Sequence, residues 1–223
     1  ITFSSSPVES LFIMEGKGEL QLNQLRVDAA DLQVSSFISS SKNAPSRHFN
    51  LLLTNSQFKN LGKQFPVVSL IFAKKSMVAD SLIIRNCTFS DFIAGLLHMT
   101  EEKDNKGYYN AEKIVISGNT FSKLQGLLLA IYRGGNDEST MGPDLTFSNN
   151  RINNSHSVAS TPLISLYGVQ KSLMEKNQFS QCNPGGRLIT YEDVVRAMHR
   201  LKNNQLINSG SIRKNEYVRE ENK

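Results

Sequence analysis

The sequence predicts an all-β chain wound as a single-stranded parallel β-helix of about seven coils. Three observations predict it. A strand-and-kink unit recurs seven times at nearly constant spacing, the units lack helical periodicity, and the kinks are built from asparagine and glycine. The clearest copy lies in the stretch from Lys113 to Pro143, KIVISGNTFSKLQGLLLAIYRGGNDESTMGP, and the rest of the chain is read from it.

The units are LQLNQLRV (20–27), LLLTNSQF (51–58), LIIRNCTF (82–89), IVISGNTF (114–121), LTFSNNRI (145–152), LMEKNQF (173–179) and LKNNQL (201–206). In each, an apolar run meets a short kink and a large apolar residue follows. Those residues are Val27, Phe58, Phe89, Phe121, Ile152, Phe179 and Leu206, separated by 31, 31, 32, 31, 27 and 27 positions. A helical repeat would space its apolar residues by three and four, and these runs do not. A leucine-rich repeat would hold an asparagine at fixed offset behind a tight leucine pattern, which is not kept here. A β-helix fits. Each coil then carries three short strands, inward residues stack on their equivalents in the next coil, and corner asparagines satisfy backbone groups at the bends. The seven large residues form an internal ladder and imply no cofactor box.

A second apolar strand follows most ladder positions: VVSLIFA (67–73), LLHM (96–99), LLLAIY (127–132), LISLYGV (163–169) and RLITY (187–191). The connections Lys42–Arg47, Glu101–Tyr109, Arg133–Pro143 and Asn153–Ser160 are long or polar. Insertions of a solenoid emerge on a particular face and commonly build its binding surface. The run YEDVVRAMHRL (191–201) reads as a strand pair with at most one helical turn, a short amphipathic helix being the alternative. Residues 216–223 are charge-rich and expected to fray, which bounds the β-helix domain at 1–215. At the other end, ITF and SLFIMEG are apolar strands that need something to stack on. With no initiator methionine, this reads as a piece of a longer chain with a preceding domain or partner there.

Bulk composition narrows the function classes. A chain of 223 residues, 39% hydrophobic and 20% charged, can bury a full core as one domain. No apolar run approaches the roughly 18 residues needed to cross a membrane, so no membrane partner is expected. The net charge of +5 suits a polyanion, but the cations are scattered and no known nucleic-acid module is present, so no nucleic-acid partner is expected either. Cys87 and Cys182 would lie three rungs apart, about 14 Å, beyond the ~7 Å that a disulfide spans between Cα atoms.

Polar chemistry gathers in one place. Tyr132, Arg133, Asn136, Asp137, Glu138 and Thr140 lie in or beside the loop Arg133-Gly-Gly-Asn-Asp-Glu-Ser-Thr140. It reads either as a sugar-binding or subunit-contact loop, with Arg133 gripping a carboxylate, or as a solvated turn in which Asp137 or Glu138 pairs with Arg133. His98, with Glu101 and Glu102 downstream, reads as a general base or as a partly buried strand histidine. Tyr108 and Tyr109 stack on a sugar or anchor a loop. Asp137 and Glu138 are too few for a calcium cage, so no metal ligand is assigned. No P-loop, HExxH, nucleophile elbow or dinucleotide-binding glycine pattern is present.

Three runs carry a family resemblance: Tyr109-Asn-Ala-Glu-Lys-Ile-Val-Ile-Ser-Gly-Asn-Thr-Phe121, Ile131-Tyr-Arg-Gly-Gly-Asn-Asp-Glu-Ser-Thr-Met-Gly-Pro143 and Leu166-Tyr-Gly-Val-Gln170. With the opening ITFSSS and LFIMEGKGELQLNQLRV, they resemble the C-terminal β-helix domain of polysaccharide lyase family six, which contains alginate lyases and is related to chondroitinase B. The resemblance implies a right-handed β-helix and a parent enzyme that cleaves an anionic uronate polysaccharide by β-elimination. In that chemistry a calcium ion neutralises the uronate carboxylate, a lysine takes the C5 proton and an arginine assists the leaving oxygen. Those groups belong to the family's N-terminal β-helix, in motifs resembling Ser-x-Lys-Ser and Leu-Thr-Leu-Arg-His-Gly. Neither motif occurs in this sequence, so no catalytic residue is carried over.

The expectation is therefore an accessory domain, inactive alone, whose partners are the N-terminal catalytic β-helix domain, alginate as the anionic polysaccharide, and a second copy in a homodimer. Calcium would belong to the catalytic domain. The resemblance implies a secreted or periplasmic protein. A stand-alone β-helix that binds anionic glycan and a structural, adhesin-like solenoid are the alternatives.

Overall fold

The computed structural model describes residues 8–42, 46–74, 77–101, 111–132, 143–157, 161–194 and 198–221. These form three parallel sheets and no helix. The first sheet runs β1 (Val8–Met14), β4 (Val34–Ser40), β7 (Ser69–Phe72), β10 (Gly95–Met99), β13 (Leu129–Tyr132), β16 (Ile164–Tyr167), β19 (Arg187–Glu192) and β22 (Ser211–Arg213). The second runs β2 (Gly18–Asn23), β5 (Ser46–Thr54), β8 (Met77–Arg85), β11 (Ala111–Ser117), β14 (Asp144–Ser148), β17 (Lys171–Glu175), β20 (His199–Lys202) and β23 (Val218–Glu221). The third holds the three-residue strands β3 (Arg26–Asp28), β6 (Gln57–Lys59), β9 (Thr88–Ser90), β12 (Thr120–Ser122), β15 (Arg151–Asn153), β18 (Gln178–Ser180) and β21 (Gln205–Ile207). One pass through the three sheets is a coil, so β1–β3 make coil 1, β19–β21 make coil 7, and β22 and β23 begin an eighth. The parallel β-helix of about seven coils is what the repeat predicts.

The repeated kink is the bend from the second sheet to the third. It turns on a single left-handed residue in every coil: Gln24, Asn55, Asn86, Gly118, Asn149, Lys176 and Asn203, with φ between 51° and 67°. Asparagine tolerates this region through local hydrogen bonds, and glycine has no Cβ to clash. At Gly118 a Cβ would also sit 2.6 Å from Asn86 Oδ1 in the coil below. Gly118→Ala is therefore expected to cost about 1–2 kcal/mol. Thermal melting checks this, and an unchanged midpoint would mean that the bend relaxes freely.

The ladder also stands as read. Val27 pairs with Phe58, Phe58 with Phe89, Phe89 with Phe121, Phe121 with Ile152, Ile152 with Phe179 and Phe179 with Leu206. The rings of Phe58, Phe89 and Phe121 stack with centroids 5.7 and 5.1 Å apart, near the rung spacing that in-register strands impose. Leu206 is 42% exposed because β21 is the last strand of its sheet.

Next to the left-handed residue in coils 2 to 7 stands the residue that fastens the bend. In coils 4 to 7 it is Asn119, Asn150, Asn177 or Asn204, and each carboxamide reaches the coil on either side or the coil below. Ser56 and Cys87 occupy the same position in coils 2 and 3. Cys182 lies at a different corner, between β18 and β19, and both thiols are free and buried. Burial pushes both thiols above the usual range.

One expectation is corrected. The charge-rich end supplies β23, which pairs with β20 where fraying was expected. Val218 turns inward and is buried, while Glu221 accepts two hydrogen bonds from the Arg200 guanidinium at 2.9 and 2.6 Å. The charges of that segment decorate the solvent face of an edge strand. Residues 191–201 supply the end of β19 and the start of β20, as the strand-pair reading holds, with 195–197 outside the described residues.

Candidate functional site

The three corners of the coil are unequal. The bend from the second to the third sheet is always tight. The insertion-rich corner, from the first sheet to the second, sends out the two longest connections, while the next two in length, from β6 to β7 and from β15 to β16, leave from the corner between the third sheet and the first. The two longest join β10 to β11 and β13 to β14, and β10 and β13 are direct neighbours with Met99 opposite Ile131. The sequence candidates Tyr109, Arg133, Asn136, Asp137, Glu138 and Thr140 all belong to these two connections. Those six residues lie outside the described residues.

Tyr132 and His98 are described. Tyr132 closes β13, and its ring meets Tyr167 of the next coil edge-on, with centroids 5.8 Å apart. Ser165 Oγ donates to the Tyr132 hydroxyl at 3.3 Å. A hydrogen bond to Asp193 raises the Tyr167 phenol above its usual range. This half-buried tyrosine pair closes β13 and β16 side by side, its rings packed edge-on with their polar tips in hydrogen bonds.

His98 lies in β10 and is half-buried. Its Nε2–H donates to the Leu127 carbonyl at 2.6 Å. A Cβ on Gly95 would fall 2.1 Å from that nitrogen, so glycine is what lets the imidazole lie across its own strand. Desolvation holds His98 below the usual histidine range, partly offset by the Leu127 carbonyl. A neutral ring with Nε2 committed to a backbone carbonyl ties coil 4 to the approach of β13. That is the arrangement of a structural strand histidine.

Two buried polar groups were not picked out from the sequence. His199 Nδ1 lies 3.0 Å from Ser172 Oγ, and Ser172 Oγ donates to the Tyr191 hydroxyl at 3.5 Å. His199 is fully buried, and desolvation lowers it to about 4 while Tyr191 is pushed up. A serine–histidine pair that no solvent reaches has no route to a substrate, so this cluster belongs to the scaffold. Its one sequence signal is the inward phase of β20. Lys74, buried just after β7, forms an ion pair with Glu9, and Lys42 approaches the same carboxylate at 3.4 Å. The hydrogen bond from Lys74 is the main cause that holds Glu9 below the usual carboxylate range. It ties coil 3 to coil 1, and nothing local in sequence links residues that far apart.

Among the described residues no three His, Cys, Asp or Glu side chains converge on a point that could hold a metal ion.

No family model matches this chain, and no curated protein matches it. Solved structures do. The structure of the PL6 family alginate lyase AlyGC superposes with a TM-score of 0.81 at 26% identity, covering 95% of this chain and 29% of that enzyme. An arginine-to-alanine mutant of AlyGC matches with a TM-score of 0.73 at 24% identity, covering 93% of this chain and 30% of its own. The chain thus spans less than a third of the enzyme it matches. It is a PL6-like parallel β-helix, built as in a polysaccharide lyase.

Proposed function

We propose that this chain serves as an accessory β-helix of an alginate lyase, packing beside a separate catalytic β-helix and shaping one end of its substrate cleft. One observation carries the reading: nearly all of this chain matches an alginate lyase, yet it accounts for only 29% of that enzyme's length. The sequence lacks the family's lysine and arginine motifs, and the two described candidates, Tyr132 and His98, are bound up in packing contacts. The corner that sends out the Glu101–Tyr109 and Arg133–Pro143 connections is the surface for the cleft or for a second copy of the chain. The parent would act on an anionic uronate polysaccharide outside the cytoplasm, secreted or periplasmic, with calcium held by the catalytic part.

The test is an assay of this polypeptide alone on alginate, following the ultraviolet absorbance of the unsaturated product with and without calcium. No absorbance change is expected, and the same substrate should be consumed once a catalytic β-helix is supplied. A calcium-dependent rise from the chain alone would place an active site within these residues and overturn the accessory role.

A further inference from the structure

The corner between the second and third sheets carries a second surface, opposite in character to the insertion-rich one. In coils 5 to 7 the left-handed residues Asn149, Lys176 and Asn203 form one wall of an axial trough. The first residues of the next strands, Arg151, Gln178 and Gln205, form the other, and the buried asparagine column is its floor. The trough has a volume of about 420 Å³, and every lining side chain is an amide or a cation.

The fold does not demand this chemistry. The left-handed position needs only a residue that tolerates positive φ, and asparagine or glycine serves in five of the other six coils. Lysine at 176 occupies that conformation at a cost of order 1 kcal/mol, as Lys123 does at another corner. Arg151 is exposed, and its guanidinium has no carboxylate partner among the described residues, whereas Lys171, Arg200 and Lys202 nearby are each paired. The nearest carboxylate to Lys176 is Glu175 at 4.0 Å, and that oxygen is already held by Lys202 at 3.0 Å. Two cations thus face a shared trough with little to neutralise them. Amides from successive coils repeat along it at the rung spacing, so three coils offer hydrogen-bonding partners over about 10 Å.

We propose that this trough binds a short stretch of acidic polysaccharide, the Arg151 guanidinium and Lys176 ammonium meeting uronate carboxylates and the flanking amides meeting hydroxyls. It rests on the reading of the chain as part of a uronate-degrading enzyme, and it adds a holding site on a face away from the insertion-rich corner. An extended chain lying along the axis would pass one coil after another, which a compact anion such as phosphate would not do.

The test measures binding of alginate oligosaccharides to the chain by calorimetry at moderate salt, with polygalacturonate oligosaccharides and neutral cello-oligosaccharides as further probes. The variant is Arg151→Gln with Lys176→Asn, which installs residues that the same columns already use in other coils. The control, Lys17→Ala with Lys63→Ala, removes the same number of charges from exposed positions elsewhere. Alginate binding is expected to weaken about tenfold or more in the trough variant and less than about twofold in the control. Binding unchanged in the trough variant, equal loss in both variants, or no binding of any acidic oligosaccharide would overturn the trough. Trough-dependent binding that prefers polygalacturonate would uphold it while removing alginate as the parent's substrate. Neutral oligosaccharides binding as tightly as acidic ones would overturn the charge-based assignment.

Discussion

Replacing Asn150 with alanine should destabilise the chain by about 3–5 kcal/mol, a loss of the size reserved for broken buried networks. Asn150 is fully buried. Its Oδ1 accepts from the backbone N–H and the side-chain amide of Asn119 at 2.9 and 3.1 Å. Its Nδ2 donates to the Ile116 carbonyl at 2.9 Å and to Asn177 Oδ1 at 3.0 Å. Alanine removes all four contacts at once and leaves the Asn119 N–H and the Ile116 carbonyl in a space that water does not reach. Each such orphan costs about 1–3 kcal/mol. Asn204, at the upper end of the same column and only half-buried, makes an instructive comparison. It accepts from Asn177, but solvent is at hand to replace it, so Asn204→Ala should cost about 1 kcal/mol. Urea denaturation at neutral pH reads both. A loss below about 1 kcal/mol for Asn150→Ala, or equal losses for the two, would mean that the column decorates the bend without holding it.

The elements legible in the sequence are those whose geometry is local. A left-handed bend demands asparagine or glycine within a residue or two of a strand end, and the ladder residue follows at a fixed short offset, so bends and ladder appear as a repeat. Phe58, Phe89 and Phe121 are read correctly because their partners are their own equivalents. Contacts between unlike residues in different coils have no such signature. His98 is fastened by the carbonyl of Leu127, a group every residue carries, and Lys74 reaches past a whole coil to Glu9. The polar segment 133–140 stood out by composition, yet composition does not say which corner it leaves. That follows only from the sheet order, in which β13, after which this segment begins, is the neighbour of β10, after which the connection that holds Tyr109 begins. The trough at the opposite corner was hidden for a related reason. Arg151 and Lys176 are ordinary surface residues until coils spaced by 27 positions are brought into register. The charged end misled because charge density alone does not separate a loose tail from the outer face of an edge strand; the inward Val218 does.

Acid should weaken the same solenoid from its C-terminal coils. The His199 imidazole is buried against Ser172 and Tyr191 with no partner for Nε2, and its pKa falls to about 4. In the unfolded chain the same group titrates near 6.5. Above that value both states are neutral and the full stability is present. As the pH falls from about 6.5 towards 4 the unfolded chain takes up a proton that the folded chain refuses, so roughly 3 kcal/mol is lost across this window and the loss levels off below it. His98, also depressed by burial, contributes with the same sign. The carboxylates held low, Asp28 first by the Asn60 amide and then by Lys59, and Glu9, Glu175 and Glu221 by cations, begin to matter only below their own unfolded range near 4, and their exposure keeps each contribution small. Denaturation midpoints at pH 7.5, 5.5 and 4.5 should therefore fall in the wild-type chain, and His199→Gln, which cannot titrate, should flatten most of the slope. A slope unchanged by that substitution would assign the acid sensitivity to another group. The position of His199 in β20, between β17 and β23, also says where the loosening starts. Near pH 5, amide exchange should quicken first in residues 187–221, while the stacked phenylalanines of coils 2 to 4 stay protected. Uniform acceleration along the whole chain would mean that the coils unfold as one unit, with no weak end for protons to attack.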